Sequence, residues 1–207
     1  MKYMLCSCFI IAALFATGCQ VTSASKEGWQ KIPGAAYTSK GKVELGGDVG
    51  YTYSHQENDN TSTLTRAFSL DHIIGYCVTD NIELEFRPFC MYEKTITRDK
   101  TGINPTSYEW SKGAGGGPAV TYNFPSSGNI VPFATAGYGA IDFRYEQRGV
   151  ITVADTVPVA IGILGLKIFS GDSGCVRIGA SYTEYWFKKD IGAKSEFGLT
   201  LGYSIFF

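Results

Sequence analysis

Proton chemistry near neutral pH calls for histidine, and the chain has two, His55 and His72. His72 follows Asp71, but neighbouring side chains of an extended segment leave opposite faces, so the two form no dyad. His55, set between Ser54 and Glu57, reads as an ordinary polar loop residue. Cys6 and Cys8 lie in the apolar start of the chain; downstream, Cys77, Cys90 and Cys175 are odd in number and form no CxxC or Cys/His cluster. That pattern predicts neither a structural disulfide nor a metal site, the strand reading below keeps the three apart, and no cofactor is implied. What remains is charge set among small and apolar residues: Glu44, Asp48, Glu83 and Glu85, with Arg87 and Arg177 to answer them. In a dry interior such groups must pair. The expected chemistry is ion pairing, either as a structural plug or as the gate of a narrow conductance.

The elements that hold these residues are strands. With 25 Gly, 13 Tyr, 13 Phe and 3 Trp in 207 residues, the composition favours sheets and tight turns over helices. A formal net charge of −1 gives no basic surface for nucleic acid. From Lys42 onward apolar and polar residues alternate with period two in eight segments. The first sets Val43, Leu45, Val49, Tyr51 and Tyr53 against Glu44, Gly46, Asp48, Gly50 and Thr52. The third sets Ile82, Leu84, Phe86, Cys90 and Tyr92 against Glu83, Glu85, Arg87 and Glu93. The last alternates through Phe197, Leu199, Leu201, Tyr203, Ile205 and Phe207. Short connections (78–81, 125–129, 170–174) alternate with long ones (54–62, 95–106, roughly 146–155, 188–194), as the short inner turns and long outer loops of membrane barrels do.

The first 24 residues read as an export signal: Lys2, an apolar run from Met4 to Ala16, then small residues up to Ala24. Ala16-Thr17-Gly18-Cys19 is similar to a lipoprotein box, which would instead end the leader at residue 18 and lipidate Cys19. Residues 25–41 read as a lead-in on the periplasmic side, with Trp29 as a candidate for the membrane interface, and 42–207 as the expected barrel.

Periodicity alone does not say which face is outside. The apolar face carries rings near the segment ends, Tyr51, Tyr53, Tyr108, Trp110, Phe143, Tyr145, Tyr182 and Trp186 at one end and Tyr76, Tyr122, Phe124, Tyr203 and Phe207 at the other. Two aromatic belts around an aliphatic band suit a lipid interface. The opposite face is small and charged, as the filled interior of eight strands requires, and bulky rings are not expected there. Some residues strain this reading. Arg66, His72 and Lys112 fall on the lipid face; a bulge at glycines 113–117 would turn Lys112 inward. Lys167 shares the face of Ile161 and Ile163, which leaves the face of the sixth strand open, and Pro88 removes a donor inside a strand.

Tyr203-x-Ile205-x-Phe207 resembles the C-terminal signal read by the outer-membrane barrel-assembly machinery. Gly75–Leu84 and Pro132–Gly139 resemble strands of small barrels of the OmpA/OmpX type. The resemblance implies an all-β, eight-stranded antiparallel up-and-down transmembrane barrel in a bacterial outer membrane, with its N-terminus periplasmic. It also raises lipid A modification, but the late His-x-Ser pair of lipid A deacylases has no counterpart, since no His follows residue 72. The expected role is non-enzymatic, structural or adhesin-like, with outer-membrane lipid, the assembly machinery and an extracellular protein or surface ligand as partners. A narrow channel for small or hydrophobic solutes and a soluble lipocalin-like carrier are the alternatives. Residues 149–153 either extend two strands beyond the membrane, exposing an edge for a partner, or form a solvated loop tip.

Overall fold

The structure, a computed structural model, describes residues 37–57, 60–101, 106–147, 150–171, 173–186 and 193–207. Its strands are β1 Val43–Glu57, β2 Thr61–Cys77, β3 Ile82–Asp99, β4 Ser107–Asn123, β5 Ile130–Gln147, β6 Val150–Ser170, β7 Gly174–Trp186 and β8 Ala193–Phe206. Each pairs antiparallel with the next, and β1 also pairs with β8 to close the barrel. Stepping across partners from Val43 through Tyr76, Leu84, Val120, Ala136, Gly162, Tyr182 and Phe197 returns to β1 level with Tyr53, a stagger of ten residues. With strands about 4.8 Å apart and a rise of about 3.3 Å per residue, that stagger tilts the strands by about 41° around a backbone radius of about 8 Å. Side chains from opposite walls meet across such a lumen.

The two faces are sorted opposite to a soluble barrel. Leu164, Leu199 and Phe197 are 67%, 73% and 75% exposed, while Glu44, Lys167 and Arg177 are 0%, 0% and 1% exposed. An apolar exterior around a charged interior is stable in lipid and unstable in water, which excludes the carrier alternative and defines a transmembrane barrel.

Several expectations are corrected. The loops expected at 54–62 and 146–155 are largely strand, and strand continues into 95–106 as far as Asp99, since Glu57 pairs with Ser62, Thr97 with Ser107 and Gln147 with Val150. The polar residues there are still β-formers, and hydroxyls meet across strands at Thr63–Thr97 (3.4 Å) and Thr65–Thr95 (3.2 Å). His55 accordingly lies opposite Leu64 in the β1–β2 ladder. Lys112 is exposed and unmoved by any bulge, because β4 keeps one register with β3 through Gly113–Gly117. Gly113 instead faces inward, where a Cβ would collide with Ile141. Around Pro88 the β2–β3 pairing passes from Asp71↔Phe89 to Ile74↔Phe86, so the missing donor falls in a local gap of the ladder.

Rings do enter the lumen. Phe143, expected in the outer belt, shares the inward parity of Val131, Phe133 and Ile141 and packs with Met91, Ile141, Val157, Val159 and Tyr185. A second apolar layer, Tyr37, Cys77, Val131, Phe169, Cys175 and Phe206, closes the end where the short turns lie. Cys77 and Cys175, far apart in strand order, therefore share one cluster, because closure brings β2 and β7 to the same lumen; neither they nor Cys90 form a disulfide.

The lead-in also does more than approach the barrel. Tyr37 and Thr38 are buried, and Tyr37 stacks on Phe169 with centroids 4.1 Å apart. The Thr38 hydroxyl donates to the Asp80 carbonyl (2.8 Å), and the Lys40 amide donates to Asp80 Oδ1 (2.9 Å). The chain thus places a ring as a stopper in the mouth of its own barrel. Trp29, Cys19 and the leader lie outside the described residues.

Candidate functional site

Between the two apolar layers lies a stack of charge. Arg87 Nη2 donates to Asp48 Oδ2 at 2.8 Å, Arg87 Nη1 to Glu85 Oε2 at 3.0 Å, and Asp71 stands 3.6 Å from the same guanidinium. Arg177 Nη1 donates to Glu44 Oε1 at 2.6 Å, with its Nε 3.4 Å from Asp48 Oδ1. Lys167 Nζ donates to Glu44 Oε2 at 2.6 Å and to Glu83 Oε2 at 2.9 Å. Thr121 donates to Glu85 Oε1 and lies 2.5 Å from the Thr135 hydroxyl.

Glu44, Asp48, Glu83, Glu85, Arg87 and Arg177 all meet here, with one exchange of partners: Glu83 pairs with Lys167 rather than with an arginine. Sequence reasoning missed Lys167 and Asp71 as members. The signal for Lys167 was parity with Phe169, hidden because β6 is apolar on both faces in this stretch. Phe133 and Phe206 wall the layer, with Lys167 5.0 Å from the Phe206 centroid and Arg177 4.7 Å from that of Phe133.

Small inward residues make the next layer: Gly50, Ser69, Ala119, Gly139, Ser181 and Thr200 surround a cavity with about 60 Å³ of water-accessible space. That is room for a few waters at most. Toward the far end Lys194 pairs with Glu93 and, at 2.8 Å, with Glu196.

The chemistry available is limited. Carboxylate oxygens of Glu44, Glu83 and Glu85 lie within 4.8 Å of one another, an arrangement that would suit a cation. The Lys167 ammonium already sits between Glu44 and Glu83, so the protein supplies its own cation. Asp71 points into the lumen toward Arg87, while His72 holds an outward register position opposite Gly47. They are not an acid–base pair.

No family model matches the chain, and no curated protein sequence matches it. Solved structures do. Neisserial surface protein A matches at a TM-score of 0.58 with 14% identity, over 80% of this chain and 99% of that one. The outer membrane protein OprG from Pseudomonas aeruginosa matches at a TM-score of 0.59 with 11% identity, over 82% of this chain and 97% of that one. At these identities the likeness is one of fold. The fold is that of the small eight-stranded transmembrane barrels of bacterial outer membranes, of the OmpA/OmpX type.

Proposed function

We propose that this chain is a non-enzymatic outer-membrane barrel whose interior is closed and whose work is done by its outer rim, as a structural or adhesin-like surface protein. The observation that carries this reading is the lumen: the Arg87–Arg177–Lys167 layer spans it from β1 to β7, and Tyr37 and Phe169 close the mouth beneath. A barrel of eight strands with that filling has no aqueous path. The short turns and the Tyr37 stopper are assigned to the periplasmic side, and Tyr203, Ile205 and Phe207 to recognition by the assembly machinery. The strand extension supports a surface role, since β5 and β6 pair as far as Gln147 and Val150, well beyond a membrane-spanning length of about ten residues.

The test begins with cell fractionation and gels of boiled and unboiled outer membrane, followed by planar-bilayer recording of the purified protein. A band that shifts on boiling, with no steady single-channel openings, is the expected result. Steady openings would replace the plug by a gate. A change in lipid A seen by mass spectrometry only on expression would make the protein an enzyme. Loss of a cell-binding phenotype on deletion of residues 149–153 would place the partner at the β5–β6 tip.

A further inference from the structure

Arg66, Lys94, Lys112 and Arg144 occupy outward positions of β2, β3, β4 and β5, all exposed except the half-buried Lys94. They are neighbours in the sheet. Arg66 pairs with Lys94, Lys94 with Trp110, Tyr92 with Lys112, and Lys112 with Arg144. Direct partners lie about 5 Å apart at Cβ and diagonal ones about 7–8 Å, so the four make one continuous basic band. Like charges placed opposite one another destabilise a sheet, so the fold gains nothing from this arrangement. Among the ion pairs formed by the described residues, none involves any of the four. Asp142 is the described acid on this wall, and its carboxylate takes a hydrogen bond from Thr156 (2.7 Å); Glu146 holds the next register position of β5, opposite Trp110.

The band is one-sided. The outward register positions of β6, β7, β8 and β1 carry no Lys or Arg among the described residues; at this height they hold Tyr51, Tyr53, Tyr182, Glu184, Trp186 and Phe197. Its height is also defined. Arg66, Lys94 and Lys112 stand 11, 12 and 11 residues from the short-turn ends of their strands at Cys77, Ile82 and Asn123, and Arg144 stands 14 from Ile130. At a tilt of about 41° that is about 27–35 Å along the barrel axis, just past an apolar band about 25 Å tall. Rings mark the same level, with Lys94 Nζ 4.5 Å from the Trp110 centroid and Tyr92 5.5 Å from that ring.

Cations fixed at headgroup height over an apolar wall complement one kind of occupant. We propose that the β2–β5 band binds the phosphates of a phosphorylated lipid in the leaflet next to the long loops, with the acyl chains lying on Phe68, Leu70 and Phe86 below. This rests on the outer-membrane placement proposed above.

The test uses the full mature chain, folded and immobilised, with bisphosphorylated lipid A or its dephosphorylated form offered in zwitterionic mixed micelles and the retained lipid measured by mass spectrometry. A triple variant, Arg66→Ser with Lys112→Ser and Arg144→Ser, removes exposed charge while leaving Lys94 on its rings; Lys40→Ser at the opposite end is the control. The protein should retain the phosphorylated lipid at least tenfold better than the dephosphorylated one. Each charge removed near the surface should cost about fivefold in retention, on the order of 100-fold for the triple variant. Equal retention of both lipids, or of phosphorylated lipid by the triple variant, overturns the proposal, as does displacement by equimolar inorganic phosphate, which would mark a free-anion site. Absence of a heat-shifted band in the unmodified protein would instead overturn the membrane reading itself, and the band with it.

Discussion

Replacing Lys167 by Met keeps the length of the side chain and removes its charge from a site with no exposure. The ammonium stands 2.6 Å from Glu44 and 2.9 Å from Glu83. At an effective dielectric of 20 each contact is worth about 6 kcal/mol of attraction, set against several kcal/mol for burying the ammonium. Glu44 retains Arg177 at 2.6 Å after the change, whereas the ion pair that Glu83 forms is with Lys167. Most of the loss therefore falls on Glu83, and the variant should be less stable by about 3–5 kcal/mol. Lys167→Met combined with Glu83→Gln removes the stranded carboxylate and should recover about 2 kcal/mol. The assay is urea unfolding of the barrel refolded in phospholipid vesicles, followed by tryptophan fluorescence. A single variant within about 1 kcal/mol of the parent, or a double variant no better than the single, would refute the assignment of Lys167 as the cation that holds this layer.

Three further outcomes are expected. Tyr37→Ala removes a buried ring stacked on Phe169 and should cost about 3 kcal/mol in the same unfolding assay, although residue 37 precedes every strand. Gly202→Ala would drive a methyl group into the Asp48 carboxylate and the Gly47 carbonyl, lowering stability by about 1–3 kcal/mol, whereas Gly128→Ala meets nothing within 4 Å and should be near neutral. In the folded barrel Cys77 and Cys175, at 1% and 0% exposure, should resist maleimide until denaturation, while the half-exposed Cys90 on the lipid face should react with a membrane-soluble reagent; mass spectrometry of labelled peptides reads both.

Alternation made the strands and their faces readable wherever the two faces differ in chemistry, as in β1 with Glu44 and Asp48 behind Leu45 and Val49. It fell silent where they do not. Across Val157–Ile168 both faces of β6 are apolar, so Lys167 could not be placed without its cross-strand partner Arg177. Phe143 misled for another reason: a ring near a strand end suits both a membrane belt and a lumenal layer, and only parity with Ile141 decides between them. Tyr37 lies where no period exists, and its role depends on Phe169, more than 100 residues away. The acids and arginines were legible because charge in a membrane-spanning strand has so few places to go.

The ion-pair layer joins residues very distant along the chain: Lys167 reaches Glu44 across 123 positions and Arg177 reaches it across 133. Strands β1 to β3 thus carry an excess of acid, and the Lys167 and Arg177 cations that neutralise half of it arrive only with β6 and β7. A half-built sheet has one face that water stabilises and one that lipid stabilises, and no position in the bilayer satisfies both. Curling up and entering the membrane are therefore one event for this chain, and the late strands set its timing. A register slip at the closing seam would leave the first strand's carboxylates facing the wrong neighbours, so the same layer acts as a proofreader of closure.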